Sequence, residues 1–552
     1  MMQYSKLIDY YEKLAATRKK LEKRDILAEL YKDCNEEDLH IVVQLSMGVL
    51  YTAGQEELGI AREIVRRTIA KTYGVKEIEV TKKFASTGDL GLTAEFFAKN
   101  KRQMSLGKKE LTINNIYDNL RKLPSISGSG SQERKMALIS ELLSHASPRE
   151  AKFIVRTILG DMRIGVAAGI VRDAIATAFN QEAKDVEKIF NIVGDFGLVA
   201  QMAKKGKMKA EIVIGRPLRV MLAERSPGLK EALEEFDNPA LEIKYDGLRI
   251  AVHKENKEVK IFSRRMENIT KQFPEIVLWS RENIKAKQCI IEGEALAVDS
   301  EGKPLPFQVL SRRIQRKYDI ERMVKEIPVQ INFFDLLYYN KENYMHKPLR
   351  ERWDKLKKII KETNNFRLAD HIETKDYKEA NKFYKHSLKI GQEGVIVKNI
   401  DAHYQPGKRV GYWLKVKEIL EPLDLVVVGA EWGEGKRAKW FSSLLLACKG
   451  RDDKFLPTGK MASGLTEQQL EEVTKKLKNL VVKEHGKTVD VKPELVIEVG
   501  YEEIQKSPKY PTGYALRFPR LLRIRDPSDK GPEDVNTVKD IEKFFRMQKR
   551  GK

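Results

Sequence analysis

The feature that most constrains this chain is an internal repeat within residues 1–205. Residues 54–97 align without a gap with residues 160–203, and 16 of the 44 aligned positions are identical. Random pairing at ordinary residue usage would give roughly two to four identities. The shared positions include the corner "GDLGLTA" at 88–94 against "GDFGLVA" at 194–200. We therefore interpret this region as an internal duplication that forms two similar halves.

The same region carries signals for helices. In "SPREAKFIVRTILG", Ser147 is a suitable N-cap, Pro148 suits the first helical position, and Glu150 completes a capping box. The segment "LPSISGSGSQ" at 123–132 is rich in Gly and Ser and predicts a surface loop that divides the halves. We expect residues 1–205 to form an all-α domain.

The remainder of the chain predicts two further domains. Runs such as "LRIAVHK", "EVKIFSR" and "CIIEGEALAVD" predict strands, and "LRERWDKLKKIIKE" predicts a helix among them. This mixture indicates an α+β domain over residues 215–420. Short strands with Gly-rich turns follow, and they predict a small barrel of the OB type over residues 421–552, ending in a basic tail. The chain is thus expected to be multidomain.

The charge of the chain indicates a polyanionic partner. The sequence has 102 Lys and Arg against 80 Asp and Glu, a formal net charge of +22. Nucleic acid is the first candidate for such a basic protein. The sequence offers no long apolar run and no signal peptide, so we expect an intracellular protein that does not bind a membrane. The spacing of its three cysteines and eight histidines gives neither a disulfide framework nor a metal cage.

The stretch "EIKYDGLR" at 242–249 carries the first chemical signal. A lysine acts as a nucleophile only when it is deprotonated, and burial and neighbouring cations promote that state. Arg249, Arg264 and Lys415 would supply such cations if the fold brings them near Lys244, and they would also hold phosphate oxygens. The alternative is that Lys244 is a solvated lysine at the end of a strand.

Three other patterns have a chemical and a structural interpretation. Glu292 and Glu294 alternate on a predicted strand, and they would either hold a divalent metal or lie on a solvated face. Phe334 is either a core aromatic or a stacking surface for a base. Lys415 and Lys417 lie on one side of a strand, an arrangement that suits a polyphosphate but is also common on edge strands.

Taken together and in order, seven segments resemble the motifs of the covalent nucleotidyltransferases. The similarity is close to the ATP-dependent DNA ligases of the archaeal and eukaryotic type, and it covers nearly the whole chain. The helical segment "DMRIGVAAGIVRDAIATAF" resembles that family's DNA-binding domain. The segments are "EIKYDGLR", "FSRR", "IIEGEALAV", "NFFDLLYYN", "EGVIVKN", "YQPGKRVGYWLKVK" and "LRFPRLLRIRD".

The resemblance implies a role for individual residues. Lys244 would form the covalent lysyl-AMP, and Glu242 would read the adenine. Glu294 and Glu393 would form a site for Mg²⁺, or alternatively Mn²⁺. The other implied nucleotide contacts are Arg249 and Arg264 at the ribose and phosphate, Glu294 at the ribose, Phe334 on the adenine, and Arg409, Lys415 and Lys417 at the phosphates.

The last motif differs from the family's pattern. The family usually has an acidic residue and a lysine directly behind the arginine strand, whereas here Pro527 and Ser528 precede Asp529 and Lys530. Arg517 and Lys530 are the candidate residues of this motif. Lys530 would contact the leaving pyrophosphate.

The resemblance also implies the function. The chain would seal single-strand nicks in duplex DNA with ATP, through a lysyl-AMP and a DNA-adenylate, in DNA replication, repair and recombination, and in connection with cell division and the cell cycle. Nicked double-stranded DNA would be its main partner and a sliding clamp a second one. The protein would act as a monomer in the cytoplasm of an archaeon.

Other functions share part of this pattern. RNA ligases and guanylyltransferases that cap messenger RNA share the lysine motif, but the long helical domain and "LRFPR" favour the DNA ligases. An NAD-dependent ligase would normally carry a four-cysteine zinc module, which three scattered cysteines cannot form. A non-catalytic DNA-binding scaffold has no need for the lysine of a K-x-D-G-x-R motif.

Overall fold

The computed structural model describes the chain except for residues 53–57, 101–109, 315–318, 418–419, 434–436, 438, 451, 453, 463 and 550–552. Residues 54–57 of the repeat and 550–552 of the basic tail therefore lie outside the described residues. Two compact units are present. The first comprises Met1–Glu224, Asp246–Asp370 and Asn399–Trp413, and the second comprises Arg225–Tyr245, His371–Lys398 and Leu414–Lys552. Among the described residues we find no helix with the length and apolar character needed to cross a membrane.

Residues 1–205 are helical, as the sequence predicts, and their apolar side chains pack into one core. The helices are α1 (Tyr4–Ala16), α2 (Lys20–Asp33), α3 (Glu36–Ser46), α4 (Arg62–Tyr73), α5 (Glu77–Thr87), α6 (Leu90–Lys99), α7 (Ile113–Arg121), α8 (Ser131–His145), α9 (Pro148–Ile158), α10 (Ala168–Ala178), α11 (Ala183–Val193) and α12 (Phe196–Lys204).

The start of α9 has the capping arrangement that the sequence predicts. The Ser147 side chain accepts a hydrogen bond from the main-chain N–H of Glu150, and the Glu150 side chain accepts one from the main-chain N–H of Ser147. Pro148 occupies the first turn. Two main-chain donors that the helix itself cannot satisfy are therefore bonded within four residues.

The two aligned segments have the same succession of helices. Each helix of the second segment begins 106 residues after its counterpart in the first, α10 after α4, α11 after α5 and α12 after α6. Gly88 and Gly194 end the middle helices at φ values of 63° and 70°, in the left-handed region that favours glycine. Asp89 and Asp195 then cap the last helix of each segment.

The corner also requires its second glycine. A Cβ atom on Gly91 would lie 2.7 Å from the carbonyl oxygen of Lys152 on α9. A Cβ atom on Gly197 would lie 2.7 Å from the carbonyl oxygen of His40 on α3. In both halves the last helix approaches another helix so closely that only glycine fits at this position.

The two corners differ in the side chain that pairs with the capping aspartate. Oδ2 of Asp89 lies 2.7 Å from Nη2 of Arg156, whereas Oδ2 of Asp195 lies 2.9 Å from Nε2 of His40. Burial acts to raise the pKa of both aspartates, but the basic partner and the capping hydrogen bonds outweigh it, so both pKa values fall below the ordinary range.

Strands and helices are interspersed after the helical region. They are β1 (Leu222–Arg225), α13 (Leu229–Glu234), β2 (Pro239–Ile243), β3 (Leu248–Glu255), β4 (Glu258–Ser263), α14 (Pro274–Asn283), β5 (Gln288–Ala297), α15 (Phe307–Ile314), α16 (Ile320–Glu326), β6 (Val329–Tyr339), β7 (Glu342–Asn343), α17 (Leu349–Ile359), β8 (Phe366–Leu368), β9 (His371–Glu373), α18 (Tyr377–Lys389), β10 (Gly394–Asn399) and β11 (Arg409–Lys417).

These strands provide the framework for the candidate site. In the first unit they follow the order β4-β3-β5-β6-β7, with β8 parallel to β6. In the second unit the part of β11 from Leu414 to Lys417, then β10, β2 and β9 lie side by side in that order. β2 runs antiparallel to β9, and this register places Glu242 opposite His371.

The C-terminal region is rich in strands. They follow the order β14-β13-β12-β16-β15, and β17 pairs with both β12 and β20. In the described residues this sheet does not close into the predicted barrel, although an OB-type domain is often only partly closed. The elements are β12 (Leu423–Trp432), β13 (Phe441–Lys449), β14 (Phe455–Met461), α19 (Glu467–Lys478), β15 (Val481–His485), β16 (Thr488–Val491), β17 (Val496–Gly500), β18 (Glu503–Lys506), β19 (Tyr514–Arg517), β20 (Arg520–Ile524) and α20 (Val538–Lys549).

Candidate functional site

The main chain of Lys244 is fixed at the end of β2. Its N–H donates to the carbonyl oxygen of Gly394 over 2.9 Å, and its carbonyl oxygen accepts from the N–H of Glu393 over 3.0 Å. Gly394 has a φ of 133°, and a Cβ atom there would overlap the carbonyl oxygen of Val416 on β11. The close packing of β2, β10 and β11 therefore brings together residues that are far apart in sequence.

Three side chains at this point form an ion cluster. Nζ of Lys244 lies 2.5 Å from Oε2 of Glu393, and Nζ of Lys417 lies 2.7 Å from the same oxygen. Lys417 also lies 3.2 Å from Oε2 of Glu502. The side chains of Lys244, Glu393 and Lys417 are 20%, 23% and 24% exposed, so the cluster remains accessible to a ligand.

The electrostatics of this cluster keep Glu393 ionised. Burial acts to raise the pKa of Glu393, but the ammonium groups of Lys244 and Lys417 outweigh it and lower that pKa to about 2. Burial acts in the opposite direction on Lys417, yet Glu393 and Glu502 raise its pKa above the ordinary value. Two ammonium groups are thus held beside one carboxylate, where phosphate oxygens can compete for them.

A second carboxylate, two residues before Lys244, is almost fully buried. Oε1 of Glu242 lies 3.3 Å from Nδ1 of His371, and its Oε2 forms an ion pair with Nζ of Lys398. Burial acts to raise the pKa of Glu242, but Lys398 and His371 outweigh it and lower that pKa below the ordinary value. The sequence interpretation selected Glu242 but not its two partners.

The two missed partners differ in the signal that the sequence offered. Lys398 follows the apolar run of "EGVIVKN", and a charge at the end of a core strand indicates a buried partner. His371 had no local signal, because its contact with Glu242 depends on the pairing of two strands 129 residues apart.

In the first unit, Arg249 lies at the centre of a separate cluster. Its Nη2 is 2.7 Å from Oε2 of Glu292, and its Nη1 donates to the carbonyl oxygen of Met221 over 2.9 Å. The hydroxyl of Tyr404 donates to the same Glu292 oxygen over 2.9 Å. Burial acts to lower the pKa of Arg249, but Glu292, Tyr404 and Glu294 together outweigh it and raise that pKa.

This cluster bears on the two interpretations of Glu292, a metal ligand or a residue on a solvated strand face. The side chain of Glu292 is 1% exposed, so the expectation of a solvated strand face is wrong for this residue. Glu292 is instead the buried counter-ion of Arg249. Glu294 lies directly opposite Arg249 in the register of β5 with β3.

Phe334 and Gly247 are explained by packing in the same unit. Phe334 is 9% exposed, and its ring lies 5.2 Å from the guanidinium carbon of Arg249 and 6.3 Å from the ring of Trp413. A Cβ atom on Gly247 would overlap the carbonyl oxygen of Ala295 on β5. The glycine of the motif is therefore required for the approach to β5, and stacking of Phe334 on a base stays a prediction.

The other predicted phosphate contacts lie on turns and on β11. Arg264 is exposed directly after β4, and Arg409 is exposed at the first position of β11. Lys415 and Lys417 are half-buried while Val416 between them is buried, which agrees with two cations on one side of the strand.

The candidates of the last motif have partners within the C-terminal region. Nη1 of Arg517 lies 3.3 Å from Oε2 of Glu503. Nζ of Lys530 lies 2.5 Å from Oδ2 of Asp424, whose other oxygen is 2.7 Å from Nε of Arg525. The contact of Lys530 with pyrophosphate stays a prediction.

One carboxylate of the site suits a divalent metal. In the part of the chain that the structure describes, no group of three or more His, Cys, Asp and Glu is arranged to hold an ion. Mg²⁺ commonly binds through one or two carboxylates together with substrate phosphates. The ionised and partly exposed Glu393 fits a site of that kind. Glu294 as a second ligand stays a prediction.

Three family models match the chain in succession. "DNA ligase N terminus" matches residues 3–176, "ATP dependent DNA ligase domain" matches residues 220–417, and "ATP dependent DNA ligase C terminal region" matches residues 437–528. The second of these contains Lys244, Glu393 and Lys417.

Curated relatives are similar over the whole chain. A "DNA ligase" of Thermococcus fumicolans is 43% identical over 558 residues and covers 100% of both chains. A "DNA ligase" of Archaeoglobus fulgidus is 42% identical and covers 99% of both chains. The solved structure "Pmar-Lig_PreS3" has a TM-score of 0.56 at 17% identity and covers 94% of this chain and 99% of its own, a similarity that shows the fold alone.

Proposed function

The chain belongs to the ATP-dependent DNA ligases, and from that premise we propose that Lys244 is the nucleophile with which it seals single-strand nicks in duplex DNA. The observation that carries this proposal is the position of Lys244 in "KYDGLR", held with Lys417 against the single carboxylate of Glu393. Two cations at one accessible point can form charge-assisted hydrogen bonds with the oxygens of a triphosphate.

The reaction comprises three displacements at phosphorus. The amine of Lys244 attacks the α-phosphorus of ATP, so that a P–N bond forms and the P–O bond to pyrophosphate breaks. An oxygen of the 5′-phosphate at the nick then attacks the AMP phosphorus and breaks the P–N bond. Finally the 3′-hydroxyl attacks the activated 5′-phosphate, which forms the phosphodiester and releases AMP.

The side chains of the cluster act before and during the first displacement. Lys244 must leave its ion pair with Glu393 and lose a proton before it attacks, because only the neutral amine is nucleophilic. Phosphate oxygens would take the place of Glu393 beside Lys417. In-line phosphoryl transfer depends mainly on such positioning and on electrostatic stabilisation.

The remaining contacts of ATP are proposed on the basis of the family. Mg²⁺, or alternatively Mn²⁺, would neutralise phosphate charge when bound, and Glu393 and Glu294 would hold it. The proposed nucleotide contacts are Glu242, Arg249, Arg264, Glu294, Phe334, Arg409, Lys415 and Lys417, with Arg517 and Lys530 as candidates from the last motif.

The test is incubation with α-labelled ATP and Mg²⁺, followed by denaturing separation and peptide mapping. We expect label on the peptide that contains Lys244, and we expect pyrophosphate or nicked duplex to discharge it. Label on another residue would overturn the assignment of the nucleophile. A protein that takes no label from ATP, NAD or GTP but binds nicked duplex would support the scaffold alternative.

Broader roles follow from this chemistry as proposals. Replication, repair and recombination all leave nicks that need sealing, and completion of replication connects the enzyme with cell division and the cell cycle. We propose nicked DNA as the main partner, a sliding clamp as a second one, and action as a monomer in the cytoplasm, where archaeal DNA lies. The net charge of +22 supports backbone contacts with DNA.

A further inference from the structure

We propose that His371 and Lys398 are positioning residues that fix Glu242 as a hydrogen-bond acceptor and thereby make the enzyme select a purine with a 6-amino group over one with a 6-oxo group. This inference rests on the proposed function, in which Lys244 attacks ATP and Glu242 reads the base. The choice of base is thereby assigned to three residues, of which His371 lies outside the sequence motifs and Lys398 lies within "EGVIVKN" but was given no role there.

The geometry holds the carboxylate of Glu242 from both sides. β2 lies between β9 and β10, His371 is directly opposite Glu242 on β9, and Lys398 is on β10. Each oxygen of the carboxylate has one of these partners. The three side chains are 4%, 7% and 1% exposed for Glu242, His371 and Lys398, so water does not replace either contact readily.

The chemistry of the three groups defines what the carboxylate can bind. An ionised carboxylate only accepts hydrogen bonds, and an ammonium group only donates them. His371 donates from Nδ1 when the proton is on that nitrogen, and the neighbouring carboxylate favours this tautomer. A base that meets Glu242 must therefore donate. The 6-amino group of adenine can donate a hydrogen bond to this carboxylate. The 6-oxo group of guanine or hypoxanthine only accepts hydrogen bonds, so it cannot bond to the carboxylate.

The two partners also oppose the effect of burial. Burial favours the protonated form of Glu242, and a protonated carboxyl can donate to a 6-oxo group. The positive charge of Lys398 and the hydrogen bond from His371 favour the ionised form instead. Loss of a partner should therefore weaken the discrimination between the two kinds of purine more than it weakens catalysis.

The experiment compares labelling of Lys244 by α-labelled ATP and by α-labelled ITP, whose base differs from adenine by a 6-oxo group in place of the 6-amino group. We expect the wild-type protein to favour ATP. In the variant His371→Leu, the kcat/KM for ATP divided by that for ITP should fall about tenfold. This is the magnitude expected for a hydrogen bond to a charged group. The variant His371→Asn should recover most of that ratio, because its amide can donate from the position of Nδ1.

A matched control and a second variant complete the test. His386 is an exposed histidine on α18 of the same unit, and His386→Leu should keep the wild-type ratio. Glu242→Gln presents an amide that donates as well as accepts, so it should move the ratio toward ITP. A merely structural role for His371 would lower labelling by both nucleotides equally and leave the ratio unchanged.

The outcomes separate this inference from the function on which it rests. Failure of the wild-type protein to take label from ATP would overturn the proposed function. Wild-type labelling with an unchanged ratio in a folded His371→Leu variant would overturn the inference alone. If His371→Leu shows no cooperative thermal unfolding, the result for Glu242→Gln decides, and an unchanged ratio there overturns the inference.

Discussion

Two carboxylates of the second unit each lie between two basic groups, and they differ in exposure. The side chain of Glu242 is 4% exposed between His371 and Lys398, whereas that of Glu393 is 23% exposed between Lys244 and Lys417. An almost fully buried ion pair cannot exchange its partners without burying an unpaired charge. A partly exposed pair can exchange a carboxylate for a phosphate. The same kind of contact can therefore fix a recognition group in one place and hold reactive groups ready in the other.

The largest effect is expected at the partly exposed cluster of Lys244, Glu393 and Lys417, called the exposed cluster below. Lys244→Ala removes the proposed nucleophile, so self-adenylation should disappear while binding of nicked duplex is retained. Both are measured with α-labelled ATP and by a gel-shift assay on nicked duplex. Retained sealing from ATP by Lys244→Ala would contradict the assignment of the nucleophile.

The next largest effect is expected on the free energy of unfolding, which should differ between variants of the two clusters. Lys398→Met leaves the carboxylate of Glu242 buried without its counter-charge, so the free energy of unfolding should fall by about 3–5 kcal/mol. Lys417→Met is the matched variant at the exposed cluster and should cost about 1 kcal/mol or less. Urea unfolding of both variants measures the difference, and equal losses would contradict the contrast between the two clusters.

A third variant should separate the clusters by their ligand. Glu393→Gln removes an expected magnesium contact, so the Mg²⁺ concentration for half-maximal adenylation should rise at least tenfold. Glu242→Gln should leave that concentration unchanged and alter only the choice of base. A magnesium titration of adenylation in both variants tests this, and a similar rise in both would show that the two carboxylates share one role.

Acid should weaken the exposed cluster in a defined range. The pKa of Glu393 falls from 4.5 to about 2 on folding, so its stabilising contribution is complete above pH 4.5 and is lost as the pH falls toward 2. The Glu393→Gln variant should therefore lose less stability than the wild type between these pH values. Urea unfolding at a series of pH values measures it, and identical pH profiles would show that Glu393 does not titrate in this way.

The smallest effect is expected for Glu502, which contacts Lys417 from the C-terminal region. Its side chain is 40% exposed, and Lys417 keeps Glu393 as a second partner. Glu502→Gln should change the free energy of unfolding by about 0–1 kcal/mol. Adenylation should remain near the wild-type rate, and a large loss of labelling would assign Glu502 to the reacting cluster.

Much of the local structure could be predicted because its causes lie within a few residues of each other. The capping box of Ser147 and Glu150, the helical region and the alternating strands all depend on short-range patterns. The repeat predicted that the same corner occurs in both aligned segments. In the structure Asp89 caps α6 and Asp195 caps the equivalent helix α12. The C-terminal domain of the OB type was also predicted, but pairing between distant strands decides whether its sheet closes, and in the described residues it does not close.

The sequence by itself selected Lys244 as the candidate nucleophile and determined its immediate surroundings, since Lys244 and the residues of its motif are adjacent in the chain. Only the tertiary structure decided which groups face one another: His371 with Glu242, Glu393 with Lys244, and Arg156 or His40 with the two equivalent aspartates. The physical reason is the range of the forces involved. Capping and periodicity act along the chain, whereas ion pairs form wherever strand register and helix packing bring charges together, at any separation in sequence.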